Sequence, residues 1–174
     1  MIEETPSIEN RFETAGVLSR ETARDLAVVG PVARASGIDL DVRRDHPYGL
    51  YDKYKIDVPT THYGDVMARA RIRIAEVAAS AQIIQEAARS LPDGSVFTSV
   101  ASGGDVQGFS AVESPRGELC YWMEARDARL TRCHVKSPSF QNWPAMPFAV
   151  AGNIIADFPL INKSFNLSYS GCDR

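Results

Sequence analysis

From Gly64 to Leu91 the apolar residues Met67, Ala70, Ile74, Val77, Ala81, Ile84, Ala88 and Leu91 recur at steps of three and four. That spacing puts them on one face of a single long helix. Arg69, Arg73, Glu76, Gln82, Glu86 and Arg89 fall off the row. The alanines within it permit close approach by a neighbouring helix. No second helix of matching length is legible, so the row is covered either by the chain's own sheet and short helices or by something outside the chain. If it is left bare, the isolated chain is expected to form a homodimer through residues 64–91 or to bind a partner there.

Pro92-Asp93-Gly94 ends the helix, and the period changes to two. Val96–Ala101, Val106–Glu113, Glu118–Ala125 and Arg129–Lys136 read as strands, joined by Ser114-Pro115-Arg116-Gly117 and Asp127-Ala128 turns. One long helix followed by an antiparallel meander predicts an α+β fold. Short helices complete it. Ser19 is an N-cap for a helix reaching about Val29, and Pro31 suits the first turn of a second helix, Val32–Ser36, stopped by Gly37. Asn142–Asn153 reads as another helix, continued through Phe158, and residues 1–13 as a loose lead-in to one domain spanning residues 1–174. Residues 38–60 read as an irregular loop dense in Arg, Tyr and Asp, of a length often tied to function.

The net charge of −3, with both signs mixed along the chain, gives no case for nucleic acid. No apolar run reaches the roughly 18 residues of a bilayer span, and the acidic N-terminus does not read as a secretory signal. Cys120, Cys133 and Cys172 are an odd number without regular spacing, which argues against a disulfide framework. Cys120 and Cys133 could face each other across a hairpin, but reduced, half-buried thiols in a cytoplasmic protein are the expectation.

Six stretches in order carry a resemblance. They are Gly30-Pro31-Val32-Ala33-Arg34-Ala35-Ser36-Gly37; Asp41-Val42-Arg43-Arg44-Asp45-His46-Pro47-Tyr48 with Tyr51-Asp52 and Asp57-Val58-Pro59; Gly64-Asp65-Val66-Met67-Ala68-Arg69; Glu113-Ser114-Pro115-Arg116-Gly117-Glu118-Leu119; Lys136-Ser137-Pro138-Ser139-Phe140; and the terminal Asp173-Arg174. Together they resemble the C-terminal half of the nickel–iron hydrogenase large subunits of the energy-converting, formate-hydrogenlyase type. They are also similar to the quinone-site, 49 kDa-type subunit of complex I, an NADH–quinone oxidoreductase. The resemblance runs from about residue 14 to the end.

It implies a component of a membrane-associated redox complex. Its expected partners are an iron–sulfur small subunit, other complex subunits and a chain carrying the family's N-terminal half. It also implies that such subunits use a nickel–iron centre or quinone. The hydrogenase ending resembles Asp-Pro-Cys-x-x-Cys-Thr-Asp-Arg. Aligned on Asp173-Arg174, Ser168 and Gly171 occupy the two ligand positions and Cys172 is one residue out of register. A nickel–iron centre needs soft thiolates, and a neutral hydroxyl does not replace one. The expectation is a chain with no metal or cofactor of its own, inactive as a hydrogenase by itself. By resemblance, Arg44, Asp45 and His46 lie near the family's cavity, as a proton- or quinone-side cluster in which Arg44 and Asp45 tune His46. His62 and His134 have no supporting ligands at metal spacing and read as surface or structural. The competing reading is a degenerate, non-catalytic interaction module that dimerises or binds a partner through the 64–91 helix.

Overall fold

A computed structural model of the chain describes residues 5–91, 93–99 and 104–172. Its long helix, α5 (Val66–Arg89), starts where Asp65 accepts a hydrogen bond from Ala68 N at 2.7 Å. The sheet is a meander of β1 (Val106–Ser114), β2 (Gly117–Arg126) and β3 (Arg129–Lys136), antiparallel throughout. Short helices precede and follow: α1 (Pro6–Phe12), α2 (Arg20–Asp25), α3 (Gly30–Ala35), α4 (Val42–Asp45), α6 (Pro138–Asn142), α7 (Met146–Val150) and α8 (Phe158–Phe165). This is the expected α+β architecture.

Several local expectations are corrected. Residues 6–12 of the lead-in are helical, with Pro6 in the first turn. Ser19 does cap α2, accepting from Thr22 N, but the helix stops at Asp25 because Ala27 turns back at φ +50°. The helix read over residues 142–158 is three pieces: a 3-10 turn at Trp143–Ala145 joins α6 to α7, and non-helical residues 151–154 with a 3-10 turn at Ile155–Asp157 part α7 from α8. Pro144 and Pro147 each remove a backbone donor there. No strand forms over residues 96–99; residues 100 and 101 of that expected strand lie outside the described ones. Cys120 pairs with Lys136 and Cys133 with Met123, so the two thiols do not face each other.

The main core gathers Leu18, Val28, Val32, Val66, Met146, Ile161 and Phe165, and so joins the short helices to the start of α5. A second contact, through Ala35, Ala68 and Ile72, sets α3 against α5, and its alanines bring the two backbones close. Beyond Ile72 no residue of α5 is buried. The chain's own sheet and helices therefore do not cover the apolar row from Ile74 onward.

The base of the β1–β2 hairpin meets the start of α3 glycine to glycine. A Cβ on Gly30 (φ +69°) would lie 2.3 Å from Arg116 O and 2.5 Å from Gly117 Cα. Both partners are backbone and cannot swing aside. Gly30→Ala is expected to cost about 1–3 kcal/mol from the left-handed backbone alone, with the clash adding to it. A lower urea midpoint with unchanged m-value checks this.

Candidate functional site

Below that junction lies a buried group of charges. Arg34 on α3 is almost inaccessible, and its guanidinium reaches three carboxylates. Nε donates to Glu76 of α5 at 2.7 Å, Nη1 and Nη2 both donate to Glu113 of β1 at 3.1 Å, and Nη1 approaches Asp41 at 3.5 Å. Nη1 also donates to Leu40 O at 2.8 Å. Asp41 caps α4 and takes a bidentate pair from Arg43 at 2.9 and 2.7 Å. Glu113 Oε2 accepts from Val42 N at 3.2 Å, and Glu113 N donates to the Tyr48 hydroxyl at 3.1 Å. One guanidinium thus ties α3, α4, α5 and the sheet together.

The hydrogen bonds divide unevenly among the carboxylates. Asp41 and Glu113 accept several each, whereas Glu76 receives one, from Arg34. Burial pushes both Glu76 and Glu113 above the usual carboxylate range, and Arg34 offsets only part of that. The hydrogen bond to Asp41 raises Arg43 further. Arg34, Arg43, Glu76 and Glu113 form the polar floor of a cleft of about 520 Å³ between α5 and the β1–β2 turn. Its walls include Val77, Ala81, Ile84 and Pro115.

A second buried arginine, Arg69, sits one turn into α5. It donates to Gly64 O at 2.6 Å, Gly16 O at 2.9 Å and Ser164 Oγ at 2.8 Å, and lies over the Phe165 ring at 4.6 Å. Burial pushes its guanidinium down from the usual value. Arg73, one turn further on, bonds Phe165 O and Arg69 O.

The expected cluster behaves differently. Arg44 pairs with Asp39 at 2.6 Å and with Asp45 at 2.8 Å, on the surface. The hydrogen bond from Arg44 holds the Asp45 carboxyl below the usual range. His46 and Asp45 are exposed, and among the described residues no hydrogen bond joins the His46 ring to either neighbour. Asp45 and His46 do share a smaller pocket of about 210 Å³ with Asp41, Glu113 and Glu118. Glu113 thus borders both cavities.

The C-terminal turn closes on itself. Ser168 Oγ accepts from Gly171 N at 3.1 Å, Cys172 Sγ donates to Ser168 O at 3.1 Å, and Ser137 Oγ donates to Gly171 O. Ser168 N is fixed by Ser139 Oγ at 2.9 Å. Residues 168–172 contain a single thiol, and among the described residues no group of three or more His, Cys, Asp or Glu side chains is placed to hold a metal ion. A multi-thiolate centre does not fit the donors of this turn.

The chain matches the family described as "Respiratory-chain NADH dehydrogenase, 49 Kd subunit" over residues 1–104 and 97–174. It belongs to that family. It is 34% identical to an NADH-quinone oxidoreductase subunit of Koribacter versatilis (strain Ellin345), covering all of this chain and 51% of that protein. It is 35% identical to the carbon monoxide-induced hydrogenase of Rhodospirillum rubrum (97% and 47%), and 33% identical to formate hydrogenlyase subunit 5 of Escherichia coli (98% and 30%). Among solved structures it resembles a chain of the membrane-bound sulfane sulfur reductase, an archaeal respiratory membrane complex. That match has a TM-score of 0.89 at 26% identity, over 98% of this chain and 49% of that one. The chain thus spans about half or less of the length of these curated relatives. Among the described residues no helix is long and apolar enough to cross a membrane.

Sequence reasoning placed the cluster at Arg44, Asp45 and His46 and missed Arg34, Asp41, Glu76 and Glu113. Three of those four lie within the six stretches that carry the family resemblance. The signal available was the spread of unlike charges over otherwise apolar segments.

Proposed function

We propose that this chain is the hydrogenase- and complex I-like large-subunit component of a membrane-associated redox complex, and that it does not ligate a nickel–iron centre through its C-terminal segment. The observation that carries the second part is the turn at residues 168–172. The serine and glycine at the ligand positions are hydrogen-bonded to each other, and the thiol of Cys172 points at a main-chain carbonyl. Membership of the family and the match to a respiratory membrane complex support the first part. The chain would work on the cytoplasmic face beside an iron–sulfur subunit and a polypeptide carrying the length that it does not span. Quinone, as a substrate of the whole complex, fits this reading. Within it, Arg44, Asp45 and His46 would serve as the proton- or quinone-side group at the rim of the smaller pocket, with Glu113 at its back.

Anaerobic purification followed by elemental analysis is expected to give neither nickel nor iron in stoichiometric amount. Nickel together with iron at one per chain would sink the metal-free reading. Tagged chain solubilised from its native membranes is expected to bring down an iron–sulfur subunit. If it is recovered alone and colourless, the non-catalytic interaction module becomes the better reading, and the bare face of α5 already favours such a role.

A further inference from the structure

The charges around Arg34 do not balance. Two guanidiniums, those of Arg34 and Arg43, face three acids: Asp41 at the cap of α4, Glu76 on α5 and Glu113 on β1. With every group ionised, one negative charge is left over, and Arg34, Asp41 and Glu113 are almost fully buried. Burial disfavours such an excess and favours a proton on one of the carboxyls.

The hydrogen bonds select which one. Asp41 accepts from Arg43 N, Nε and Nη2, with Arg34 Nη1 at 3.5 Å. Glu113 accepts from both terminal nitrogens of Arg34 and from Val42 N. Glu76 accepts from Arg34 Nε alone, through Oε1. Donors stabilise the ionised form, so the acid with the fewest of them holds a proton most readily. Glu76 Oε2 has no partner among the described residues, yet it is not a sealed atom: the one buried side-chain nitrogen or oxygen without a partner there is Arg73 Nε. Glu76 lines the larger cleft, so its free oxygen is open to that space.

We propose that Glu76 is the proton-exchanging carboxyl of this cleft: protonated, it accepts from Arg34 Nε through Oε1 and donates its Oε2–H to a base lodged between α5 and the β1–β2 turn. Resting on the redox reading above, that base is an oxygen or nitrogen atom of the complex's substrate. The step is a proton transfer alone. The O–H bond of Glu76 breaks, a bond from the base to hydrogen forms, and the negative charge left on Glu76 is shared with Arg34. Oε1 accepts from Arg34 in both states, so the side chain stays in place. Val77, Ala81, Ile84 and Pro115 wall the cleft with apolar atoms. Burial pushes Glu76 above the usual carboxylate range, towards the range in which a general acid is most effective. Arg73 opposes this through space, but it spends its hydrogen bonds on Arg69 O and Phe165 O. Tyr48 meets Glu113 N and adds no charge.

Two measurements on the full chain test the assignment. In carbon-13 NMR with labelled glutamate carboxyls, the signal lost in Glu76→Gln is expected to titrate about one pH unit or more above the exposed glutamates. Glu113→Gln removes a negative charge and should lower that midpoint, and Arg73→Gln should raise it. Dicyclohexylcarbodiimide, an apolar reagent for protonated carboxyls, is expected to label Glu76 and not Glu113, as located by mass spectrometry. Labelling should fall as pH rises through the Glu76 midpoint. Ser80→Leu, one turn along the same side of α5, should slow it. Circular dichroism checks that each variant folds; should Glu76→Gln fail, the adduct in the wild type decides alone. A Glu76 that titrates with the exposed glutamates, or an adduct on Glu113 in its place, overturns the assignment. Neither result touches the redox reading, which the metal analysis and the recovery of an iron–sulfur subunit decide separately.

Discussion

Arg34→Ala is expected to destabilise the fold by about 3–5 kcal/mol, the usual loss when one partner of a buried ion pair is removed and the others stay charged. Three carboxylates, those of Asp41, Glu76 and Glu113, would lose a common cation, and the first and last of them are almost fully buried. The loss should appear as a large drop in urea midpoint. Replacing the charges together should behave differently. Arg34→Met combined with Glu76→Gln and Glu113→Gln removes two of the three carboxylate charges along with the cation and leaves Asp41 to Arg43, and should recover part of the stability, because much of the loss in Arg34→Ala comes from buried charges left unpaired. If the triple variant is as unstable as Arg34→Ala, the hydrogen-bond geometry rather than the charge holds the junction.

The same group sets a pH dependence. Glu76 and Glu113 have folded-state pKa values above the ordinary glutamate value of 4.5. Between the unfolded and the raised folded value, the folded protein holds more protons than the unfolded chain. The slope of unfolding free energy with pH is then negative, so these two groups cost stability progressively as pH climbs from about 4.5 through the raised values. Asp45 has the opposite sign, but it is exposed and screened. Glu76→Gln keeps an acceptor for Arg34 Nε and should flatten part of this slope in a series of urea titrations.

Periodicity made α5 and the meander legible. Arg129–Lys136 is the strand as expected, β1 runs one residue past its expected end, and β2 is one residue longer at each end. Both patterns are local, and each repeats often enough to be read without tertiary context. Where local signals compete, the reading failed. Pro144 and Pro147 make irregular what composition alone reads as one helix, and the chain leaves it altogether at residues 151–154, where Gly152 takes φ +81°. The site was harder still. Arg34, Asp41, Glu76 and Glu113 come from four separate segments, and only the fold brings them together. His46 drew attention because a titratable ring beside Arg44 and Asp45 looks like a tuned group, yet both neighbours spend their hydrogen bonds on each other, on Asp39 and on the Asp41 backbone. The cysteine count, by contrast, needed no fold: the residues at 168 and 171 are fixed by the sequence, and the structure adds only what they bond to.

Arg69 shows why a charge off an apolar row need not be on the surface, and its removal is the other large expected effect. Its acceptors are two main-chain carbonyls, at Gly16 and Gly64, and one hydroxyl, at Ser164. No acidic partner announces it in the sequence, so spacing alone assigned it to the polar side of the helix. The guanidinium joins the segment before α2, the turn that opens α5 and the last turn of α8. Its face lies on Phe165, where cation and ring attract most strongly when desolvated. Arg69→Ala takes from the Gly16 carbonyl its donor, at about 1–3 kcal/mol, leaves Gly64 O with Leu18 N alone, and opens a void beside Phe165. A total of about 3–5 kcal/mol is expected, near the upper end for single substitutions. Arg69→Lys should recover little, because one ammonium cannot reach three acceptors set by a planar fork. Chemical denaturation of the two variants, with circular dichroism to establish that each folds, checks both. If lysine restores most of the stability, charge rather than the fork is what the site requires.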